Sequence, residues 1–321
     1  MCPEREIRRP GPSLSVVVCA YTLDRWDDLT AAIASLRAQH RQAQEILLVV
    51  DHCPDLAARA ILELPGLRIL LNQERRGLSG ARNTGVAAAR GEVVAFLDDD
   101  AAADPEWTAR LLAAYRDPAV LGVGGLVRPR WDGGRPSWFP PEFDWVVGCS
   151  YRGLPERPAP VRNFIGANMS FRRAEVLEAG GFSTGLGRIG SRPLGCEETE
   201  LCLRLAARHP GAVLRYEPAA AVTHHVPGSR ATWTYFRSRC YAEGLSKATV
   251  ARLAGPRPAL ASERRYLRST VPRAVAGAVR PGGGGPREAA ALLGGVAATL
   301  LGYGAGRLRG GPAVRPGGGA P

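Results

Sequence analysis

Lysine is nearly missing from this chain. Lys247 is the only one among 42 basic residues in 321, and the other 41 are arginine. With so much Ala, Gly and Pro, the skew fits GC-rich coding, so the arginines are read as charge alone. Seven cysteines form no C-x-x-C pair. Their odd number, and Cys19 inside an apolar run, exclude a disulfide framework and a zinc site. The first twelve residues are charged and contain proline, without the apolar core of a secretory signal. The longest near-apolar stretch, 289–303, is short and glycine-rich for a membrane span. Glycine is also absent from 21–28, after the first apolar run. That argues against a dinucleotide oxidoreductase and against a nucleotidyltransferase with a Gly-rich basic loop.

What is present reads as a soluble globular chain, 45% hydrophobic and 22% charged. The net charge of +12 is uneven. Residues 231–321 carry 14 basic and three acidic groups, Glu243, Glu263 and Glu288, whereas 1–230 are nearly neutral. A basic third of this kind suits an anionic partner, and no recognition motif supports nucleic acid. Its helical candidates, 263–279 and 287–303, place arginines beside apolar faces, as on a helix lying on an anionic membrane.

Apolar β-branched runs predict strands at Leu14–Ala20, Glu45–Asp51, Leu67–Leu71 and Glu92–Leu97. Helical spacing falls at Asp27–Gln39 and Leu78–Arg90, and Asp104-Pro105 reads as an N-cap and first helical position. This alternation predicts an α/β fold with a mostly parallel sheet sandwiched by helices and a C-terminal helical basic extension. From Arg128 to Pro160 a long loop mixes Pro and Gly with Trp131, Trp138, Trp145 and other aromatics. Order resumes with Phe164–Phe171, helices Arg173–Ala179 and Glu197–Ala207, and strands Ala212–Tyr216 and Ala219–His224. The expected organisation is a tail (1–12), a catalytic unit (13–230, halves 13–127 and 128–230), a helical basic extension (231–303) and a Gly/Pro tail (304–321).

Three predicted strands end in polar groups: Ala20-Tyr21-Thr22, Asp51, and Asp98-Asp99-Asp100. In a parallel sheet these ends share one edge, where ligands bind. Carboxylates crowded on an apolar lip repel unless a cation sits there, and oxygen ligands suit Mg²⁺ or Mn²⁺ with a diphosphate. Between strands three and four, Gly77 and Gly80 allow close backbone approach near a helix start, and Arg76 and Arg82 can meet negative charge.

These segments, with Gly166-Ala-Asn168, Gly180-Gly-Phe182 and Gly195-Cys-Glu197-Glu198, resemble family 2 glycosyltransferases of the GT-A fold over roughly 14–250. The resemblance implies an inverting, metal-assisted transfer from a nucleoside-diphosphate sugar, UDP-linked by expectation, to a hydroxyl or lipid-phosphate-linked acceptor. It implies that Tyr21 and Asp51 hold base and ribose, with Ala20, Thr22, Arg76, Gly80, Arg82, Asp98 and Asp99 also on the donor. Asp100, Asp98 and His224 fall at metal positions, and Arg237 and Arg239 near the diphosphate. Asn168, Trp145 and Trp233 are acceptor candidates. The family's usual Glu-Asp is Glu197-Glu198 here, which makes Glu198 the expected general base with Glu197 as its rival. A catalytically weak nucleotide-sugar or glycan-binding protein is the alternative. The expected place is the cytoplasm, peripheral to the inner face of the cell membrane.

Overall fold

The protein is described from a computed structural model covering residues 11–187, 195–255 and 260–308. The residues before 11 and after 308, including most of both expected tails, lie outside the described residues.

The apolar runs form the first half of a sheet. Strands β1 (Leu14–Ala20), β2 (Glu45–Val50), β3 (Arg68–Leu71) and β4 (Val93–Asp98) pair in parallel in the order β3-β2-β1-β4. Helices α1 (Trp26–Arg37), α2 (Pro54–Glu63) and α3 (Leu78–Ala88) connect them. Val16, Val18, Leu48, Val50 and Ala95 are buried because helices cover both faces.

Beyond β4 antiparallel strands join the sheet. β8 (Asn168–Arg172) enters antiparallel between β4 and β6 (Val120–Trp131). It arrives from a long loop rather than a crossover helix, so nothing forces a parallel return. β9 (Val213–Val226) lies parallel to β6, and β5 (Ala101–Ala103) and β7 (Ala159–Pro160) pair with it antiparallel. The two strands expected at 212–216 and 219–224 are thus one strand. A register irregularity near Glu217 accommodates Pro218 without ending it.

Helix α4 runs Trp107–Ala114. Asp104 does not cap it, contrary to the sequence reading. Its carboxylate is drawn to Arg128 (2.5 Å), and Asp104 contributes only a backbone carbonyl to the Trp107 N–H. Helices α5 (Arg173–Glu178) and α6 (Glu197–Arg208) complete this part.

The C-terminal segment begins with α7 (Trp233–Ala254). Helix α8 (Ala261–Arg265), a wide turn at Tyr266–Thr270, helix α9 (Val271–Ala278) and helix α10 (Gly285–Leu308) follow. α10 extends past residue 303, so residues 304–308, expected in the Gly/Pro tail, are helical. Phe236, Cys240, Ala291 and Leu292 join the same apolar core as the sheet. α7 and α10 approach closely. A Cβ on Gly244 would stand 2.1 Å from the Thr299 carbonyl oxygen, and one on Gly302 would stand 2.0 Å from that of Tyr241.

This backbone contact predicts that Gly244→Val cannot be absorbed by side-chain repacking. The expected loss is about 2 kcal/mol or more, read as a lower midpoint in thermal unfolding.

Candidate active site

Pairing of β5 with β9 creates the centre of the site. His224 lies opposite Ala101, immediately after Asp100, and the His225 N–H donates to the Asp100 carbonyl at 2.8 Å. His224 Nε2 therefore stands 3.0 Å from Asp100 Oδ1. Asp98, at the end of β4, completes a group whose ligand atoms all lie within 4.8 Å of one another. Two carboxylates and an imidazole form a donor set suited to Mn²⁺ or Mg²⁺.

Asp100 is buried, and Arg25 (3.2 Å) and Arg230 (3.5 Å) face its other oxygen. Burial pushes the carboxyl up, but His224, Arg25 and Arg230 more than offset it. It stays well below the usual carboxylate range and is ionised for a cation. Asp99 is also buried and pairs with Arg25 at 3.0 Å. Burial and the Asp100 charge push Asp99 up to about 7.

A smaller pocket adjoins this centre. Ala20, Tyr21, Asp51, Arg76, Asp98 and Asp99 line it, and Arg25 and Asp98 line the main cleft as well. Asp51 accepts from the Gly77 N–H (2.9 Å) and Asn72 Nδ2 (2.7 Å), fixing the loop before α3. A Cβ on Gly80 would meet the Arg75 carbonyl oxygen at 2.2 Å, so only glycine fits there. Thr22 caps the Leu23–Arg25 turn by accepting from the Asp24 N–H.

The main cleft has a volume of about 290 Å³. Arg82, wholly buried on α3, spans its floor, pairing with Glu197 at 2.7 Å and Asp98 at 3.5 Å. Glu198 lines the cleft, its Oε1 accepting from Thr199 Oγ1 at 3.2 Å, and no ion pair to it is found among the described residues. Burial and the neighbouring Glu197 charge push Glu198 up to about 8.

Several acceptor and phosphate candidates fall elsewhere. Asn168 is consumed by structure: it accepts from Trp107 Nε1 (2.8 Å) and donates to the carbonyls of Ala220 (2.8 Å) and Leu126 (3.1 Å). Trp233 stacks on Trp138 at 4.1 Å, outside the cleft lining. Arg237 is exposed and does not line the cleft, whereas Arg239, about 200° further round α7, is buried and does. Trp145 also lines the cleft.

Sequence reasoning missed Arg25, Arg230, Arg162, Lys247 and Glu263, all of which line the cleft. Arg25 follows the first strand directly and could have been found from that position. Lys247 was singular in composition but was read only as charge.

The glycosyl transferase family 2 profile matches residues 15–178. A glucosyl-dolichyl phosphate glucuronosyltransferase of Haloferax volcanii is 35% identical over 238 residues, 73% of this chain and 76% of that protein. The succinoglycan biosynthesis protein ExoM of Rhizobium meliloti is 27% identical over 72% of each chain. Among solved structures, the mannosyltransferase PcManGT of Pyrobaculum calidifontis, in complex with GDP-Man and Mn²⁺, aligns with a TM-score of 0.55 and 18% identity. That match covers 92% of this chain and 91% of the other. GalNAc-T7 with UDP, GalNAc and Mn²⁺ aligns at 0.54 and 18% identity, over 81% of this chain and 58% of that one. The fold and site define a GT-A nucleotide-sugar enzyme. The chain belongs to glycosyl transferase family 2 and is a glycosyltransferase.

Asp100→Asn should weaken Mn²⁺ binding by more than the ~10–100-fold typical of losing an outer-shell partner. Titration calorimetry with Mn²⁺ alone reads this. Asp99→Asn, which removes no ligand atom from the group, should change Mn²⁺ affinity far less.

Proposed function

We propose that the protein transfers a sugar, with inversion, from a nucleoside-diphosphate donor to a hydroxyl of a lipid-phosphate-linked acceptor. The carrying observation is that the Asp98–Asp100–His224 group and the Glu198 carboxyl line one cleft. The small pocket at Tyr21, Asp51 and Arg76 suits a nucleoside, and UDP is the expected one. The relative named for a glucosyl-dolichyl phosphate substrate supports the acceptor class.

Asp98, Asp100 and His224 would hold Mn²⁺ or Mg²⁺, which supplies charge neutralisation for the diphosphate leaving group. Arg25 and Arg230 keep Asp100 ionised for that task. Glu198 takes the proton of the acceptor hydroxyl as it attacks the anomeric carbon. Glu197 is less suited to the same role, because Arg82 occupies it.

Glu198→Gln should lower transfer by about 10²–10⁴-fold and leave donor binding intact. Only the deprotonated carboxylate is a base, so the wild-type rate should rise with pH and level off above about 8. Rates against pH at saturating donor and Mn²⁺ check both points. A lipid monophosphate that is itself the nucleophile would need no base, and full activity in the variant would indicate that reaction.

The C-terminal segment supports docking on an anionic membrane. α10 is long and apolar enough to cross a membrane, at a mean hydropathy of 1.5. Its inner face, however, packs on α7 through Gly302 and Gly306, and Leu293, Leu300, Leu301 and Leu308 form the outer one. Arg264, Arg265, Arg268, Arg273, Arg280 and Arg287 of the same segment are exposed. This arrangement favours lying on the surface over spanning it. Full-length protein should co-sediment with phosphatidylglycerol vesicles at low salt and release at high salt. The double substitution Leu293→Asp with Leu301→Asp should abolish sedimentation.

A further inference from the structure

Lys247 is half-buried in the wall of the cleft, and a carboxylate from the C-terminal segment sits between it and Arg162. Arg162 donates to both oxygens of Glu263, at 2.5 and 2.8 Å, and Lys247 Nζ lies 2.8 Å from Glu263 Oε1. Lys247 also reaches Glu243 at 3.3 Å. Three separate parts of the chain converge here: the stretch between β7 and β8, helix α7, and the five-residue helix α8.

A guanidinium fork and an ammonium gathered on two oxygens of one group is the arrangement by which proteins hold phosphate and carboxylate ligands. Here the oxyanion belongs to the protein. An ion pair that merely fastened the C-terminal segment could lie anywhere along its seam with the sheet. This one lies in the cleft that Glu198 also lines, and the Glu263 side chain keeps 27% of its surface exposed. Leu267 and Leu300, 38% and 55% exposed, line the same cleft, so it opens beside apolar surface.

The geometry points to an oxyanion subsite formed by Arg162 and Lys247, with Glu263 as an internal placeholder that an incoming phosphate displaces. The source of that phosphate rests on the lipid-linked acceptor proposed above, whose chain would leave past Leu267 and Leu300. Glu263 spares two desolvated cations from facing each other in the free enzyme. Inorganic phosphate or a monoester brings up to two negative charges where Glu263 brings one, a lipid-linked sugar diester brings one, and either finds the cations already assembled.

Calorimetry with inorganic phosphate and full-length protein tests the subsite. Glu263→Gln should bind phosphate at least tenfold more tightly than wild type, and adding Lys247→Met should abolish the gain. Equal affinity in wild type and Glu263→Gln, or a gain that survives Lys247→Met, overturns the subsite. Circular dichroism verifies that the variants fold. A second measurement needs no substitution: saturating phosphate should speed hydrogen exchange of residues 261–270 in wild type, because Glu263 leaves its seat. Unchanged or slower exchange overturns the displacement. A short-chain prenyl phosphate, compared with its alcohol, then identifies the source. Competition by the prenyl phosphate alone supports a lipid-linked phosphate. Phosphate binding that the prenyl phosphate does not contest leaves the subsite standing and removes the lipid-acceptor reading.

Discussion

Everything at the centre of this protein depends on keeping Asp100 ionised while it is buried. A lone carboxylate taken out of water is so costly that it would take up a proton instead. Asp100 avoids this through His224 at 3.0 Å, Arg25 at 3.2 Å and Arg230 at 3.5 Å. These partners come from β9, from the turn after β1, and from the turn following β9. The antiparallel β5–β9 pairing that the sheet adds to its parallel half is therefore what brings the acidic lip and its counter-charges together. A purely parallel sheet with the same sequence motifs would have no strand to carry His224 there.

The second dependence is between the sheet and the C-terminal segment. Arg239, Glu243 and Lys247 on α7, Glu263 on α8 and Val296 on α10 line the cleft that Asp98 and Glu198 also line. Phe143 and Phe236 pack at a tilt with ring centroids 5.3 Å apart, and a Cβ on Gly295 would reach Phe143 at 2.5 Å. The aromatic loop is thus the packing layer between the two parts. This explains why its length and composition looked functional while only Trp145, Phe143 and Tyr151 of its rings face the cleft. The net positive charge of the last third had suggested a surface appendage. Much of the segment instead forms core and cleft wall and, among the described residues, its arginines other than Arg239 are exposed.

The donor half was legible from sequence because its signals are local. β-branched runs fix the strands, and the polar residues that end them must meet at one edge. That reasoning places Tyr21, Asp51, Asp98 and Asp100 together, as found. β4 ends at Asp98, so strand alternation does not govern Asp99, which joins Arg25 in the smaller pocket. Asn168 and Trp233 misled because polarity and aromaticity in a motif do not reveal whether a carbonyl or another ring already satisfies them. Arg162, Lys247 and Glu263 were not legible at all, since their meeting depends on how far the last helices fold back over the sheet.

The adjacent glutamates at the start of α6 show how one environment can separate two like groups. Successive residues on a helix point about 100° apart, so Glu197 and Glu198 meet different partners although both line the cleft. Glu197 turns inward to Arg82, and its Oε2 is buried without a hydrogen-bond partner. Glu198 turns to the cleft, where desolvation and the charge of Glu197 outweigh the opposing pull of Lys247 and of a backbone hydrogen bond. A carboxyl raised to about 8 holds a proton more tightly than an ordinary one and is a stronger base once ionised. The arginine that immobilises Glu197 thereby also equips Glu198, through the charge it fixes beside it. The extra methylene of Glu198, compared with the Asp of the motif it resembles, lengthens its reach without altering that electrostatic division.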